Sequence, residues 1–524
     1  MNRILSKALT GALLMVVAAA CTDLGVEPRS TVTDVNVFRD QASYRAFIAK
    51  IYAGLAVSGQ QGPHGQPDIE GIDEGFSQYL RLYWELQELP ADAAVIAWGD
   101  VGLPEMNTQL WAVNNNFVGG MYYRVFYQVV LANEFLRQTT EAKLTERGHT
   151  SSALRAEITQ YRAEARFLRA LSYWHGLDFF GRIPLLTEAD ILGTLPPQRT
   201  PTEVYDFVVS ELNAILADLP AAGPATYGRA TAGAAQMLLA KLYLNAEVYT
   251  GTPNYTGALT AASAVIAGPY SLTPVYVNNF LADNHTSPEI IFPVTQDGLR
   301  TRTWGAMTFL IHASIGYNDG MSPGSYGVDG GWGGIRLKPE AYQLFGAGDT
   351  RSSYFYTPNH TVGVAALGEF RNGIAAPKFS NVTSTAAPGS HSQHVDTDFP
   401  MFRLADAYLM YAEAHLRGGG GNATTALDYV NALRVRAYGD STGVIIAPQL
   451  TLDFILDERG RELLWEAHRR NDLIRYGRFT GSAYTWSWKG GTEAGGSTPD
   501  HLKLYPIPAN ELIGNPNLTQ NQGY

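Results

Sequence analysis

The segment "RATAGAAQMLLAKLYLNAEVY", residues 229–249, is followed by "GTPN" at 251–254 and "YTGALTAASAVIAG" at 255–268. Alanine and leucine recur at helical spacing in both longer segments, and the short Gly- and Pro-containing segment between them is typical of a turn. Small residues at this spacing let two helices approach each other closely. The stretch therefore predicts a tightly packed pair of helices.

A second stretch, "DAYLMYAEAHLRGGGGNATTALDYVNALRVRAYG" at residues 406–439, repeats the scheme of helix, glycine-rich turn and helix. The two-helix unit resembles a tetratricopeptide-type repeat, although the full repeat signature is absent. We predict several such pairs packed side by side.

Two further helices are predicted between these pairs and the N-terminal part of the chain. In "YRAEARFLRALSYWHGLDFFG", residues 161–181, apolar residues recur three and four apart, and Gly181 and Pro184 end the pattern. In "TPTEVYDFVVSELNAILADLP", residues 200–220, Thr202 is the expected N-cap and Pro220 the terminator.

The remaining chain has a different texture. Residues 60–120 and 268–400 are rich in Gly, Pro, Asn, Ser and aromatic residues, with short β-like stretches such as "EIIFPV". Loops of this length are uncommon unless they carry function. The predicted fold class is mainly α: a tetratricopeptide-like helix-pair scaffold (about 31–59, 121–267 and 401–480) with a large irregular loop layer and a few short strands.

The N-terminal segment predicts export and lipidation. Asn2, Arg3 and Lys7 precede an apolar run from Ala8 to Ala20, and Cys21, the only cysteine, follows directly. This layout resembles a bacterial lipoprotein signal, with Ala18 in place of the usual leucine. We expect a signal peptide at 1–20, lipid on Cys21, a tether at 21–30 and a single domain at 31–524. The alternative is an ordinary cleaved signal with a chance cysteine.

Composition limits the possible functions. Hydrophobic residues make up 45% and charged residues 17%, and the net charge of −11 argues against nucleic-acid binding and against a polybasic membrane patch. One cysteine excludes Cys-rich metal sites and disulfide frameworks within the chain. The sequence has no P-loop, dinucleotide fingerprint, H-E-x-x-H or G-x-S-x-G motif. We expect no enzyme activity, no cofactor and no metal site.

Paired acidic residues leave one catalytic alternative. "LDERGRELLWEAHRRNDLIRYGRF", residues 456–479, places Glu458, Glu462 and Glu466 on one face of a predicted helix, interleaved with arginines. A glycoside hydrolase needs two carboxylates that face each other across a bond. Carboxylates along a single helix favour ion pairs at three and four residues instead.

Aromatic residues, 11% of the chain, predict the binding site. Proteins hold sugars with flat rings against the apolar sugar face and polar side chains at the hydroxyl rim. The predicted ligand-binding residues lie in 94–116, in 316–334 and just before the latter: Trp98, Asp100, Asn107, Trp111, Trp304, Tyr317, Asn318 and Trp332. The alternative is that each Trp fills a gap beneath a long loop.

Several motifs together identify a family resemblance. The segments "AEARFLRALSYWHGLDFFGRIPLLTEAD", "GRATAGAAQMLLAKLYL", "FRLADAYLMYAEAHL", residues 456–479, the start "CTDLGVEP" and the ending "LYPIPANELIGNPNLTQNQGY" resemble motifs of the SusD/RagB family. The resemblance runs from Cys21 to the last residue, in the family's order.

The resemblance implies a lipid-anchored outer-membrane protein, facing the cell exterior, that captures a glycan and passes it to a SusC-like TonB-dependent barrel. It implies binding without catalysis. Trp98, Asp100, Tyr317 and Trp332 occupy stretches broadly similar to those that hold ligand in the starch-binding type. A peptide- or protein-binding member of the same scaffold is the main alternative, and a glycoside hydrolase is a remote one.

Overall fold

A computed structural model describes residues 37–38, 40–191, 193–317 and 319–524. The predicted signal peptide, Cys21 and the tether lie outside these residues, as does Asn318. The chain divides into two compact units, residues 1–44 and 45–524. All of the described elements except the start of the first helix belong to the second unit. The predicted domain at 31–524 stays a prediction.

Helices dominate the described residues, as the sequence predicts. Their bounds are α1 Gln41–Ala56, α2 Tyr79–Glu88, α3 Leu103–Thr108, α4 Asn116–Gln138, α5 Glu141–Glu146, α6 Ser152–Phe180, α7 Pro201–Ile215, α8 Ala232–Leu244, α9 Ala246–Thr250, α10 Tyr255–Ile266, α11 Ala306–Ala313, α12 Pro339–Gln343, α13 Leu404–Leu416, α14 Ala423–Tyr438, α15 Leu452–Glu462, α16 Arg469–Arg475 and α17 Ala509–Gly514.

The strands of the described residues are short and pair antiparallel, two at a time: β1 Ala94–Ile96 with β5 Ile335–Leu337, β2 Ile183–Pro184 with β3 Gln198–Arg199, and β4 Ile290–Val294 with β6 Phe399–Arg403. The predicted β-stretch "EIIFPV" supplies β4. In the first pair, Ala94 lies opposite Leu337 and Ile96 opposite Ile335.

The predicted helix pairs are present and pack against one another. Helix α8 packs on α10, α10 on α13, and α13 on α14. Ala235, Ala258 and Ala262 are fully buried at these contacts, because alanine lets the helix axes come close. The mainly α, helix-pair fold class is confirmed. Within the described ranges, the helices include none with the length and apolar character that a membrane span requires.

Two details of the predicted helices are wrong. The N-cap of α7 is Thr200 and not Thr202, because Pro201 takes the first helical position and the Thr200 hydroxyl accepts the Glu203 N–H at 3.2 Å. The region 60–120 also contains the buried helix α2, which its surrounding Gly- and Pro-rich loops concealed in the sequence.

The acidic segment is also not one continuous helix. Helix α15 ends at Glu462 and α16 begins at Arg469, with Trp465 and Ala467 between them at positive φ values of 60° and 62°. The backbone therefore turns away. Leu456, Leu463, Ala467 and Ile474 therefore do not share one continuous helix face.

The carboxylates of this segment form a buried ion network with distant cations. Glu462 accepts from Arg403 at 2.6 Å and from Arg351 at 3.0 Å. Glu466 accepts from Arg403 and Lys378, each at 2.6 Å. Glu458 does pair with Arg461 three residues on, at 2.8 Å, as the helix pattern predicts. Partners from other elements supply the remaining pairs, so the network joins α15 to the loop layer.

Candidate functional site: a cluster of three tryptophans

The structure brings together three of the predicted aromatic residues. The ring centroid of Trp332 lies 6.2 Å from that of Trp98 and 6.2 Å from that of Trp304, with interplanar angles of 44° and 56°. All three side chains are half-buried. Each indole therefore keeps some surface in contact with solvent, and the rings form a bent platform with Trp332 in the middle. We call these residues the ring cluster.

Strand pairing fixes Trp98 beside Trp332. The β1–β5 ladder continues past its last pair, since Ala97 N–H donates to the Gly334 carbonyl at 2.9 Å. The indole N–H of Trp98 then donates to the Trp332 carbonyl at 3.3 Å. A methyl group on Gly334 would lie 2.8 Å from the Trp98 ring, so only glycine leaves room for the indole here.

Trp332 rests on the end of α11. Its N–H donates to the His312 carbonyl at 2.8 Å, and its ring stacks on the His312 ring with centroids 4.6 Å apart and planes 20° apart. One indole face is therefore covered by His312, and the exposed part of the half-buried indole lies elsewhere on the ring. Gly331 makes this close backbone approach possible, because a Cβ there would lie 2.3 Å from the Gly316 carbonyl oxygen.

Trp304 is held by the segment before α2. Its backbone N–H donates to the Glu74 carboxylate at 3.0 Å. A Cβ on Gly75 would lie 2.9 Å from the Trp304 Cβ, so a side chain does not fit at position 75. The rings of His394 and His64 lie 4.9 Å and 6.1 Å from the Trp304 ring. His64 is exposed, so it marks the open end of the cluster.

Charged groups lie beneath and beside Trp98. The guanidinium of Arg81 lies 5.5 Å from the Trp98 ring centroid and 3.9 Å from that of Phe309, and it donates to Glu85 at 2.9 Å. Its Nη2 is buried without a hydrogen-bond partner among the described residues. The exposed carboxylates of Asp73 and Asp100 add negative charge near Arg81. Burial raises the pKa of Glu85 to about 7, against the opposing effect of Arg81.

Burial lowers the pKa of two histidines that contact the ring cluster, His394 and His312. Burial, followed by the positive charge of Arg302, lowers the pKa of His394 to about 4. Burial also lowers the pKa of His312, whose ring nitrogens face the carbonyls of Gly330 at 2.6 Å and Gln393 at 3.0 Å. Burial therefore disfavours the charged form of both rings, and polar rings beside the indoles suit a ligand of hydroxyl groups.

The other predicted residues lie in different surroundings. Asn107 is buried, and its amide is engaged with both backbone groups of Ile96, at 3.0 and 2.9 Å. Trp111 is also buried; its indole N–H donates to the Tyr524 hydroxyl at 2.7 Å, and its ring packs on Tyr505. Both therefore stabilise the fold and do not join the ring cluster.

Tyr317 and Asp100 remain candidates at the edge of the site. Tyr317 is 75% exposed and directly follows Gly316, the backbone of which lies against Gly331. Asp100 is exposed two residues after Trp98. Ligand contact by any of the predicted residues stays a prediction.

Sequence reasoning missed Glu74, Arg81, His312 and His394. Arg81 and His312 lie within helices, where a scaffold role is the usual interpretation of a single polar residue. His394 contacts Trp304 although the two residues are far apart in the chain. Glu74 accepts from the backbone N–H of Trp304, a contact that no sequence pattern indicates. In the part of the chain that the structure describes, no three or more His, Cys, Asp and Glu side chains gather in a way that could hold a metal ion.

The protein is therefore a helix-pair scaffold of tetratricopeptide type that carries the ring cluster on its loop layer. Residues 351–524 match the family described as the SusD family. The full chain is 34% identical to the starch-binding protein SusD of Bacteroides thetaiotaomicron, and the match covers 100% of this chain and 99% of that protein. The chain belongs to the SusD family, which confirms the predicted resemblance.

Further relatives and solved structures are also similar to this chain. A SusD-like protein, P25, of Formosa agariphila is 27% identical over 69% of this chain and 73% of its own. Among solved structures, a SusD superfamily protein from Bacteroides vulgatus is similar with a TM-score of 0.71 and 20% identity, covering 93% of this chain and 100% of that one. Surface glycan-binding protein A from Bacteroides thetaiotaomicron, in complex with laminarihexaose, has a TM-score of 0.69 at 21% identity, covering 92% and 99%.

Proposed function

We propose that this protein is a cell-surface glycan-binding protein that captures a nutrient glycan and delivers it to a SusC-like TonB-dependent outer-membrane transporter. The observation that carries the proposal is the ring cluster, in which half-buried indoles lie 6.2 Å apart with one face of Trp332 already packed on His312. Flat, partly open rings with a polar rim are what sugar rings require.

The geometry favours a neutral, curved glycan chain. Successive ring planes are tilted by 44° and 56°, so a flat, ribbon-like chain cannot contact all three indoles at once. The histidines that contact the indoles and the exposed carboxylates of Asp73 and Asp100 supply hydrogen-bonding groups at the rim. The names of the relatives, a starch-binding protein and a structure with laminarihexaose, support glucans as the first candidates.

Family membership supports the location and partners. We infer that Cys21 carries lipid, that the protein is anchored in the outer membrane facing outward, and that a SusC-like barrel receives the glycan. Binding without catalysis is also part of the proposal. Glu458, Glu462 and Glu466 are buried and paired with guanidinium or ammonium groups, so they offer no pair of open carboxylates across a sugar bond.

Calorimetric titration with maltoheptaose, laminarihexaose and mixed oligopeptides tests the proposal. We expect a glucan to bind and the Trp304→Ala, Trp332→Ala double variant to lose about 30-fold or more in affinity, since an aromatic hot spot contributes on the order of 2 kcal/mol. Trp111→Phe, outside the cluster, is the control and keeps the wild-type affinity. A clear preference for peptides would replace the proposal with the peptide-binding alternative, and release of new reducing ends from the bound glucan would show catalysis.

A further inference from the structure

A groove of about 770 Å³ begins where the ring cluster ends. One wall is the face of α1 that carries Ala49 and Ala53, and Tyr127 also lines the groove. His64 and Arg302 line the same groove, and both also adjoin Trp304. The His64 ring is 6.1 Å from the Trp304 ring, and Arg302 is two residues before Trp304 in the chain. The groove therefore lies next to the Trp304 end of the cluster.

Arg302 is unusual among the arginines of this chain. Among those that the structure describes, it alone has neither an ion pair nor a hydrogen bond, and its Nε is buried without a partner. Its neighbour Arg300, by contrast, pairs with Asp297 at 3.2 Å. The positive charge of Arg302 acts on His394, which packs on Trp304, so the guanidinium lies close to the cluster.

A buried donor without an acceptor is costly, and folded proteins leave few of them unpaired. The guanidinium has a planar fork of donors that matches two neighbouring acceptor oxygens. The two Nη groups of Arg302 have no partner among the described residues and, unlike Nε, are not fully buried, so a ligand that enters the groove would supply acceptors to them. Small side chains on the α1 wall leave the space for it.

We propose that this groove is a second segment of the glycan site, in which Arg302 donates hydrogen bonds to neighbouring oxygens of the sugar units that extend beyond the ring cluster. The inference rests on the proposed function and adds a chain-length preference to it. The paired oxygens are vicinal hydroxyls in a neutral sugar or a carboxylate in an acidic one. The charged side chains that line the groove are Lys50, Arg300 and Arg302, together with Asp68, which accepts from Tyr127 at 2.9 Å, so either source of oxygen suits the groove.

The test compares short and long ligands on wild type and Arg302→Ala. Maltotriose is short enough to occupy the ring cluster alone, whereas maltooctaose also reaches the groove. We expect Arg302→Ala to leave the affinity for maltotriose unchanged and to reduce that for maltooctaose about fivefold to tenfold, since hydrogen bonds to a charged group are lost. Arg199→Ala, which removes the same charge from a surface pair with Glu203, is the matched control and changes neither affinity.

Oligogalacturonates of matching lengths distinguish the two sources of oxygen. A larger chain-length effect with these acids assigns a carboxylate to Arg302, and a larger effect with maltooctaose assigns hydroxyls; both support the groove. Equal losses for short and long ligands, or no loss for either length, would overturn it. Wild-type protein that binds none of these glycans, short or long, would contradict the proposed function itself and not the role of Arg302 alone.

Discussion

Two close contacts that position the tryptophans need glycine, because no side chain would fit at either position. Gly334 lies against the Trp98 ring, and Gly331 lies against the Gly316 carbonyl. The contact at Gly334 positions the Trp98 ring, and the contact at Gly331 positions the backbone next to Trp332. The ring cluster therefore depends on residues without side chains as much as on the tryptophans.

Replacing Gly334 with alanine tests this dependence. The new methyl group would lie 2.8 Å from the Trp98 ring and 3.2 Å from the Ala313 Cβ, so the indole must move. We expect weaker glucan binding in calorimetry, by about tenfold, with the overall fold retained. Gly330→Ala is the matched control, because its methyl group would meet no atom within 4 Å and its affinity should equal that of the wild type. Equal affinity in both variants would contradict the dependence on Gly334.

The sequence indicates which residue types bind sugars but not which of them come together. Trp98, Trp304 and Trp332 meet through the β1–β5 pair and the end of α11, contacts that join distant parts of the chain. Trp111 has the same local texture of Gly, Pro and Asn. Its partner Tyr524, however, is 413 residues away, so no local pattern could show that it is buried.

Among the elements, the helix pairs were predictable because their signals are local. Small residues at helical spacing and the glycine-rich turns were enough to predict α8 with α10 and α13 with α14. Prediction was wrong where a tertiary contact decides the backbone. Between α15 and α16 the chain turns at Trp465, whose indole N–H donates to the Ala93 carbonyl at 3.3 Å and whose own carbonyl accepts from Trp84. Such long-range contacts override the helical pattern.

The start of α7 is capped by two side chains. Thr200 and Glu203 form a reciprocal capping box, in which the Glu203 carboxylate accepts the Thr200 N–H at 2.8 Å. Thr200→Ala should lower the free energy of unfolding by about 1 kcal/mol, as measured by urea denaturation. Thr202→Ala is the matched control: Thr202 is exposed inside the helix, and we expect a change within about 0.5 kcal/mol. A larger loss at Thr202 would contradict the assigned cap.

For the whole molecule, the main feature is how many charges lie inside it. Charged residues make up 17% of the chain, with a net charge of −11, and charged side chains usually lie at the surface. Many of those in this protein are instead buried in ion pairs. Burial raises the pKa of Glu462, and the guanidinium groups of Arg436, Arg403 and Arg351 more than offset it, which lowers the pKa to about 2. Glu458 is similarly lowered to about 2. The sequence showed the charges but not their partners.

These pKa shifts predict the acid stability. A carboxyl that titrates near 4.5 when unfolded and near 2 when folded stabilises the folded state above pH 4.5, and this contribution is lost as the pH falls from 4.5 towards 2. Each carboxyl contributes roughly 3 kcal/mol. Denaturant titrations between pH 7 and pH 3 should show a steep loss of unfolding free energy below about pH 4.5. A constant unfolding free energy down to pH 3 would show that the carboxylates are not paired in this way.

A crystal structure of the protein with bound maltoheptaose tests most directly whether the ring cluster holds glycan. We expect sugar rings against the exposed part of Trp332 and against Trp98 and Trp304, with the chain end directed along the groove toward Arg302. Sugar density located away from these three rings, for example on the faces of α13 and α14, would contradict it.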